Sequence, residues 1–252
     1  MTKIKKYGMP MPMFLKGDDV EYSLRCKAKF ITMNGIAVWH KDFGAKYNNY
    51  TNLYLQHRNM LVANAVLGDI SGLGMMPSLK REFRIEMMKF NYGGAQAIIQ
   101  AISDYLKGPD FLLSENGAGL MQKYANLNEK ITVGDKKMTK QRNLGIIKKI
   151  FMALTWNGQR WVRGGSKSTV VERGWKLCAG EIFMKKKIVA TNESGFVVRT
   201  RDKEKFRMLR RDWKKVQRKY QRENNRVKEA FWKKRGELTK WSFENKSGAA
   251  NE

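Results

Sequence analysis

The stretch "FRMLRRDWKKVQRKY", residues 206–220, sets most of the predicted architecture. Its apolar residues recur 3, 4, 3 and 4 positions apart, which is the period of one face of an α-helix. These seam residues are Phe206, Leu209, Trp213, Val216 and Tyr220. The surrounding segment, 201–240, has no proline, and its first glycine is Gly236. The spacing predicts a helix of roughly 60 Å, whose seam we expect to bind other protein subunits.

The same helix is strongly basic. Residues 201–240 hold 17 basic and 6 acidic residues, a net charge of +11. The whole chain of 252 residues carries +27, and residues 131–252 contribute +21 of it. A folded chain with so much like charge repels itself unless a polyanion neutralises it. Nucleic acid is therefore the expected partner, and an anionic membrane surface is the second alternative.

The remaining patterns predict an α+β fold. An extended arm is expected over residues 1–20, because Pro10 and Pro12 disfavour a helix there. A hairpin, marked by the turn sequence Asn34-Gly35, and a helical middle follow over residues 21–158. Period-two runs predict a small basic β meander over residues 159–200. The long basic helix and a frayed tail complete the chain over residues 201–252.

Basic residues interleave with aromatic ones in the second half of the chain. This pattern is typical of a surface that neutralises phosphates and stacks unpaired bases. The candidate nucleic-acid-binding residues are Arg160, Trp161, Arg163, Lys167, Lys185, Lys186, Lys187, Arg210, Arg211, Lys214, Lys215, Arg218, Lys219, Arg222, Trp232, Lys233, Lys234 and Arg235. Trp213 is interpreted as a core residue because it lies on the seam.

The segment "GQRWVRGGSKST", residues 158–169, has the glycines, lysine and hydroxyls of a nucleotide-binding loop. In that loop the lysine directly follows the last glycine. Here Ser166 separates Gly165 from Lys167, so the lysine is displaced by one position. We interpret the segment as a phosphate-contacting turn and predict no nucleotide cofactor.

Candidates for catalysis and metal binding are few. The two cysteines, Cys26 and Cys178, and the two histidines, His40 and His57, lack the close spacing of a zinc site. The sequence therefore predicts no metal and assigns no catalytic residue. His40 is expected in a strand and His57 within a helix, both as packed side chains.

The densest acidic cluster is Asp18, Asp19 and Glu21. We interpret it as part of a loop before the hairpin, where acids cap or are solvated. A metal-dependent nuclease activity that is lost when Asp18 and Asp19 are changed would instead indicate an enzyme.

The sequence-based interpretation is a non-enzymatic, structural nucleic-acid-binding protein of a large assembly, such as a virion interior or a ribosome-like particle. The alternative is a nucleic-acid-processing or replication accessory enzyme. DNA and RNA are not distinguished. There is neither a signal peptide nor an apolar run of the ~18 residues that a transmembrane helix needs. We therefore expect an intracellular protein, or one packed inside a particle assembled in the cell.

Overall fold

The computed structural model describes residues 2–29, 31, 33–35, 47–68, 74–115, 117–134, 136–140, 143–160, 167–174 and 176–240. It is an α+β protein with a small three-stranded sheet and a long C-terminal helix, as the sequence predicts. The predicted tail after Lys240 and the second strand of the predicted hairpin lie outside the described residues. The first strand of that hairpin is not formed, because the described residues 26–29, 31 and 33 belong to no strand. The turn residues Asn34 and Gly35 are described, and Gly35 has a φ of 84°.

Helices make up most of the regular structure in the described residues. In chain order they are α1 (Thr2–Tyr7), α2 (Asp18–Arg25), a π-helical turn (Tyr50–Leu55) that continues into α3 (Gln56–Leu67), α4 (Met75–Met88), α5 (Tyr92–Tyr105), α6 (Pro109–Ser114), α7 (Gly117–Lys123), a 3₁₀ turn (Ala125–Leu127), α8 (Ile146–Thr155), α9 (Ala179–Ile182) and α10 (Lys203–Leu238). The helical middle is thus confirmed. Residues 2–7 are helical where an extended arm is predicted.

The long helix α10 lies in the larger of two hydrophobic cores. Its five seam residues are all buried, and they pack in one cluster with residues of α3, α4 and α5. The Trp213 ring stacks on Phe83, with centroids 4.4 Å apart. The seam is therefore covered by this chain itself, which corrects the prediction that it binds other subunits. The 3–4 spacing is the same for a helix facing its own core as for one facing a partner.

The N-terminus of α10 is fixed by a side-chain cap. The Oδ1 atom of Asp202 accepts hydrogen bonds from the backbone N–H groups of Glu204 and Lys205, at 3.0 and 2.9 Å. These are two of the donors that the first turn of a helix leaves without an intrahelical partner. The cap explains why the helix begins at Lys203.

The sheet consists of β1 (Ser168–Glu172), β2 (Lys187–Asn192) and β3 (Gly195–Thr200), in that order. Strands β2 and β3 form an antiparallel hairpin that pairs Val189 with Val198. Strands β1 and β2 are parallel, which departs from the predicted meander. Parallel neighbours need a crossover of about a dozen residues or more, and the segment that contains α9 provides it.

The second, smaller core lies between this sheet and the end of α4. Ile188 and Val197 of the sheet pack there with Met88, Phe90 and Met152. Met152 is the buried side chain through which α8 joins this core. Phe151 contacts Phe183 at the edge of this core, with ring centroids 6.4 Å apart, while the other large apolar residues of α8 are exposed.

Candidate functional site: a cavity beside the Asp18–Asp19 pair

The acidic cluster that the sequence placed in a loop forms the first turn of α2. Gly17 precedes this helix with a φ of 82°, a left-handed conformation that favours glycine. Asp18 and Asp19 therefore lie at the positive end of the helix dipole, which stabilises their negative charge. The Oδ1 atom of Asp19 accepts a hydrogen bond from the N–H of Val20 at 2.8 Å.

The third acid of the cluster has a structural role. Glu21 is fully buried and forms an ion pair with Arg25 on the next turn, at 2.5 Å. Arg25 also donates hydrogen bonds to the carbonyl oxygens of Tyr7 and Met9. This clamp holds the N-terminal segment against α2 and leaves Asp18 and Asp19 as the carboxylates available for chemistry.

A cavity of about 350 Å³ opens beside Asp18. Its walls come from the segment 9–15, from α3, and from five residues in and between α6 and α7, which are Leu112, Leu113, Glu115, Gly117 and Leu120. Most of the lining is apolar (methionine, proline, leucine and phenylalanine), with three charged side chains, Asp18, Arg58 and Glu115. Ligand-binding pockets combine a largely apolar wall with a few placed polar groups in this way.

Arg58 is the buried cation of this cavity and is only 2% exposed. Its Nε donates a hydrogen bond to Asn59 Oδ1 at 2.9 Å, and its guanidinium carbon lies 5.5 Å from the ring centroid of Tyr54. Among the described residues, no acceptor is bonded to its Nη atoms. These donors are therefore available to a ligand in the cavity.

Gly117 shapes the wall opposite α3. A side chain at this position would place a Cβ atom 2.2 Å from the ring of Phe14, which also lines the cavity. Only glycine lets the segment that carries Phe14 approach so closely. The shape of the cavity thus depends on the glycine at position 117.

The arrangement suits chemistry on a hydroxyl-bearing ligand. An exposed carboxylate can accept a proton from a hydroxyl group, and a guanidinium can donate to ligand oxygens. Apolar walls can pack against the C–H faces of a ring. Among the described residues, no cluster of three or more histidine, cysteine or acidic side chains could hold a metal ion.

Two curated proteins resemble part of this chain. It is 30% identical over 114 residues to the galactofuranosyltransferase GlfT2 of Mycolicibacterium smegmatis (strain ATCC 700084 / mc(2)155). It is 28% identical over 117 residues to the galactofuranosyltransferase GlfT2 of Mycobacterium tuberculosis (strain ATCC 25618 / H37Rv). Each match covers 44% of this chain and 18% of the relative, so the match spans about a fifth of the relatives' length. No family model matches the chain.

This likeness overturns the sequence-based function. The relatives are enzymes that transfer a sugar, whereas the composition had indicated a non-enzymatic nucleic-acid-binding structural protein. The prediction was wrong because it gave net charge the greatest weight. Net charge bears on solubility and on non-specific association, and it does not identify a fold or a site.

The predicted basic residues are distributed over several surfaces. Arg160 and Lys167 are exposed, while Trp161 and Arg163 lie outside the described residues. Lys185 is half-buried, and Lys186 and Lys187 are exposed before and at the start of β2. The exposed candidates of α10 are Arg211, Lys214, Lys215, Arg218, Lys219, Arg222, Trp232, Lys233 and Arg235.

The structure places two of the predicted binding residues, Arg210 and Arg160, close together. Arg210 is half-buried, with its guanidinium carbon 5.3 Å from the ring centroid of Trp156. Burial lowers the pKa of Arg210, and the positive charge of Arg160 lowers it further. The two arginines are thus close enough to interact, although 50 residues of sequence separate them.

Other candidates near the end of α10 interact within the protein. The Trp232 ring is half exposed, and the Arg235 guanidinium carbon lies 3.9 Å from its centroid. Lys233 pairs with Glu229 at 2.7 Å, and Lys234 pairs with Asp110. Part of the positive charge that the sequence assigned to a polyanion is therefore balanced by neighbouring acids.

Sequence reasoning missed the cavity itself. Arg58 has the appearance of a surface cation on a helix, and nothing in its neighbours predicts that it is buried. The one available signal was the dense acidic pair directly after a proline-rich and methionine-rich segment. His40 lies outside the described residues, and His57 is packed within α3, as the sequence predicts.

Proposed function

We propose that this chain takes part in glycosyl transfer, with galactofuranose or a closely related sugar as the transferred group. The observation that carries the proposal is the match of 114 residues, at 30% identity, to a galactofuranosyltransferase. We assign the chemistry to the cavity beside Asp18, because it combines carboxylates, a buried guanidinium and apolar walls.

The proposed role of the acidic pair is that of a general base. In glycosyl transfer, an acceptor hydroxyl oxygen forms a bond to the anomeric carbon of an activated sugar. The bond from that carbon to its leaving group breaks, and the leaving group takes the electron pair. The hydroxyl proton passes to a carboxylate, for which Asp18 on the cavity wall and Asp19 beside it are the candidates.

The cavity is proposed to receive the acceptor sugar. Its volume of about 350 Å³ lies within the range of small-ligand pockets. The Nη donors of Arg58 would bind acceptor oxygens and fix the ring, while the walls made of methionine, proline and leucine would pack against its apolar face.

The test combines binding and transfer. The purified full chain is titrated with a synthetic galactofuranosyl disaccharide and followed by saturation-transfer NMR. It is then incubated with this acceptor and a radiolabelled sugar-nucleotide donor. We expect the disaccharide to bind. We expect Asp18→Asn or Asp19→Asn, whichever removes the base, to slow transfer by about 10²- to 10⁴-fold.

The matched control is Glu193→Gln, because Glu193 is an exposed carboxylate in the turn between β2 and β3. Circular dichroism verifies that each variant is folded. The proposal fails if the wild-type chain neither binds the disaccharide nor transfers sugar. It also fails if both aspartate variants are as active as Glu193→Gln.

A further inference from the structure

Helix α8 presents an apolar face to solvent. Five of its ten residues are large, apolar and between 41% and 80% exposed. They are Ile146, Ile147, Ile150, Phe151 and Leu154. Contiguous exposed apolar surface of this kind marks an interaction site in soluble proteins. The proposed glycosyl transfer makes no use of this face.

The five side chains form one stripe. At 3.6 residues per turn, they span an arc of roughly 140° around the helix axis. Met152 and Thr155 lie outside that arc and are buried against the protein. The helix is therefore held by one side and displays the other, which is the geometry of a surface-seeking amphipathic helix.

Positive charge borders the stripe. Lys148 and Lys149 are both exposed, and the helical period places each of them about 60° beyond one edge of the apolar arc. Helix α8 contains no acidic residue. A face that is apolar at its centre and cationic at its borders complements a surface with an acyl interior and anionic headgroups.

A cationic groove continues this surface next to α8. It has a volume of about 1050 Å³ and is lined by Ala153 of α8 together with Lys80, Arg81, Arg84 and Lys176. Arg84 donates a hydrogen bond to the Ala153 carbonyl at 3.2 Å, which ties the groove to the helix. Among the described residues that line it, Glu82 is the one carboxylate.

We propose that α8 and this groove dock the protein on an anionic lipid surface. The apolar stripe enters the boundary between headgroups and acyl chains, and the lysines and arginines contact lipid phosphates. In the part of the chain that the structure describes, no helix is long and apolar enough to cross a bilayer. The ten residues of α8 reach about 15 Å, so the helix lies in the plane of the interface.

The charge pattern favours lipid over a protein partner. A second copy of this chain would bring the same cations to the interface, and like charges would repel each other. The overall charge of +27 likewise favours an anionic surface. This inference is independent of the proposed sugar transfer.

The experiment is co-sedimentation of the full chain with phosphatidylcholine vesicles that contain or lack phosphatidylglycerol. We expect binding to the anionic vesicles and little to the neutral ones. Ile147→Glu places a charge at the centre of the stripe, and we expect it to weaken vesicle binding by about tenfold or more. Because Ile147 is exposed, this variant should keep its fold.

Two further variants test whether vesicle binding depends on the α8 stripe and on its lysines. Met121→Glu puts the same charge on an exposed methionine of α7, and it should bind vesicles within about twofold of the wild-type value. The double change Lys148→Glu and Lys149→Glu should reduce binding to anionic vesicles specifically.

Three results would overturn the proposal. The first is that the wild-type chain does not sediment with anionic vesicles. The second is that Ile147→Glu binds as the wild type does, or that Met121→Glu is equally impaired. The third is that Ile147→Glu leaves vesicle binding unchanged but dissociates an oligomer in light scattering, which would assign the face to a second copy.

Discussion

Helices α8 and α10 have the same pattern in sequence and opposite environments in the structure. Both are basic, and both carry large apolar residues at helical spacing. The seam residues of α10 are at most 8% exposed, whereas the stripe residues of α8 are at least 41% exposed. An amphipathic pattern thus identifies an apolar face, but it does not tell what covers that face.

The two helices differ in the side chains that pack against their apolar faces. The seam of α10 meets aromatic partners in the larger core: Trp213 stacks on Phe83, and Tyr220 contacts Tyr105. The stripe of α8 is exposed, with Phe151 at its edge in contact with Phe183 beside the smaller core. That core receives the buried Met152 from the other side of the helix. Apolar residues therefore stabilise the fold in α10 and remain available for binding in α8.

The largest expected effect is a difference in protein stability between a substitution in α10 and one in α8. Trp213→Ala removes a buried indole from the larger core and should lower the free energy of unfolding by about 3–5 kcal/mol. Ile147→Ala, on the exposed stripe, should change it by less than about 0.5 kcal/mol. Urea denaturation followed by circular dichroism measures both. Equal losses would show that the α8 stripe is buried in solution.

The second prediction tests the smaller core, which carries α8. Glu129 forms ion pairs with the buried Arg199 and Arg173, at 2.6 and 3.4 Å. Glu129→Gln leaves both guanidiniums without their carboxylate and should cost about 3 kcal/mol. Urea denaturation gives the value, and Glu229→Gln, which removes an exposed carboxylate of α10, should have no measurable effect.

The same ion cluster predicts a dependence on pH. Burial alone would raise the pKa of Glu129, but Arg199 and Arg173 hold it below its ordinary value. A carboxylate with a lowered pKa contributes stability that is present above about pH 4.3 and is lost as the pH falls through the folded-state pKa. In Glu129→Gln this part of the acid sensitivity should disappear.

The third prediction concerns His57, which lines the groove beside α8. Burial lowers its pKa to about 4, and its Nε2 has no hydrogen-bond partner among the described residues. Between about pH 6.5 and 4 the unfolded chain binds a proton that the folded chain does not bind. The free energy of unfolding should therefore fall by about 2 kcal/mol as the pH is lowered from 6.5 to 4.

Denaturation at a series of pH values measures the loss, and His57→Gln is the control, since it should flatten the profile in this window. A wild-type profile that is already flat between pH 6.5 and 4 would place His57 in contact with water.

The smallest expected effect compares the starts of the two helices. Asp202→Ala removes the side-chain cap of α10 and should cost about 1 kcal/mol. Helix α8 begins after Gly145, which provides no side-chain cap, and a Cβ atom at this position would meet no other atom within 4 Å. Gly145→Ser should therefore stabilise the protein by a few tenths of a kcal/mol. Thermal melts monitored by circular dichroism at 222 nm would resolve the effect of Asp202→Ala. Replicate urea titrations would resolve the smaller effect of Gly145→Ser. A gain from Asp202→Ala would contradict the role of the cap.

The sequence predicted those parts of the fold that local patterns control. The spacing from Phe206 to Tyr220 predicted α10, and the period-two runs within residues 159–200 predicted the strands of the β2–β3 hairpin. Helix α2 was missed because Gly17 precedes it with no capping side chain. The parallel pairing of β1 with β2 was missed because it joins segments that a helix separates.

The candidate site could not be predicted from local sequence patterns, for a related reason. Its walls come from segments near residues 9–15, near Arg58 and near residues 112–120, which are far apart in the chain. No periodicity links them. The acidic pair was noticed in the sequence, but its role depends on the cavity that the fold builds beside it.

Tyr92 connects the two hydrophobic cores and packs against both. Its hydroxyl donates to Gln159 Oε1 at 2.7 Å and accepts from the Asp202 N–H at 2.8 Å, at the start of α10. Disorder in either core would remove a partner from this one side chain. Tyr92 thus couples the melting of the helical body to that of the sheet, and favours a single cooperative unit over two independently unfolding ones.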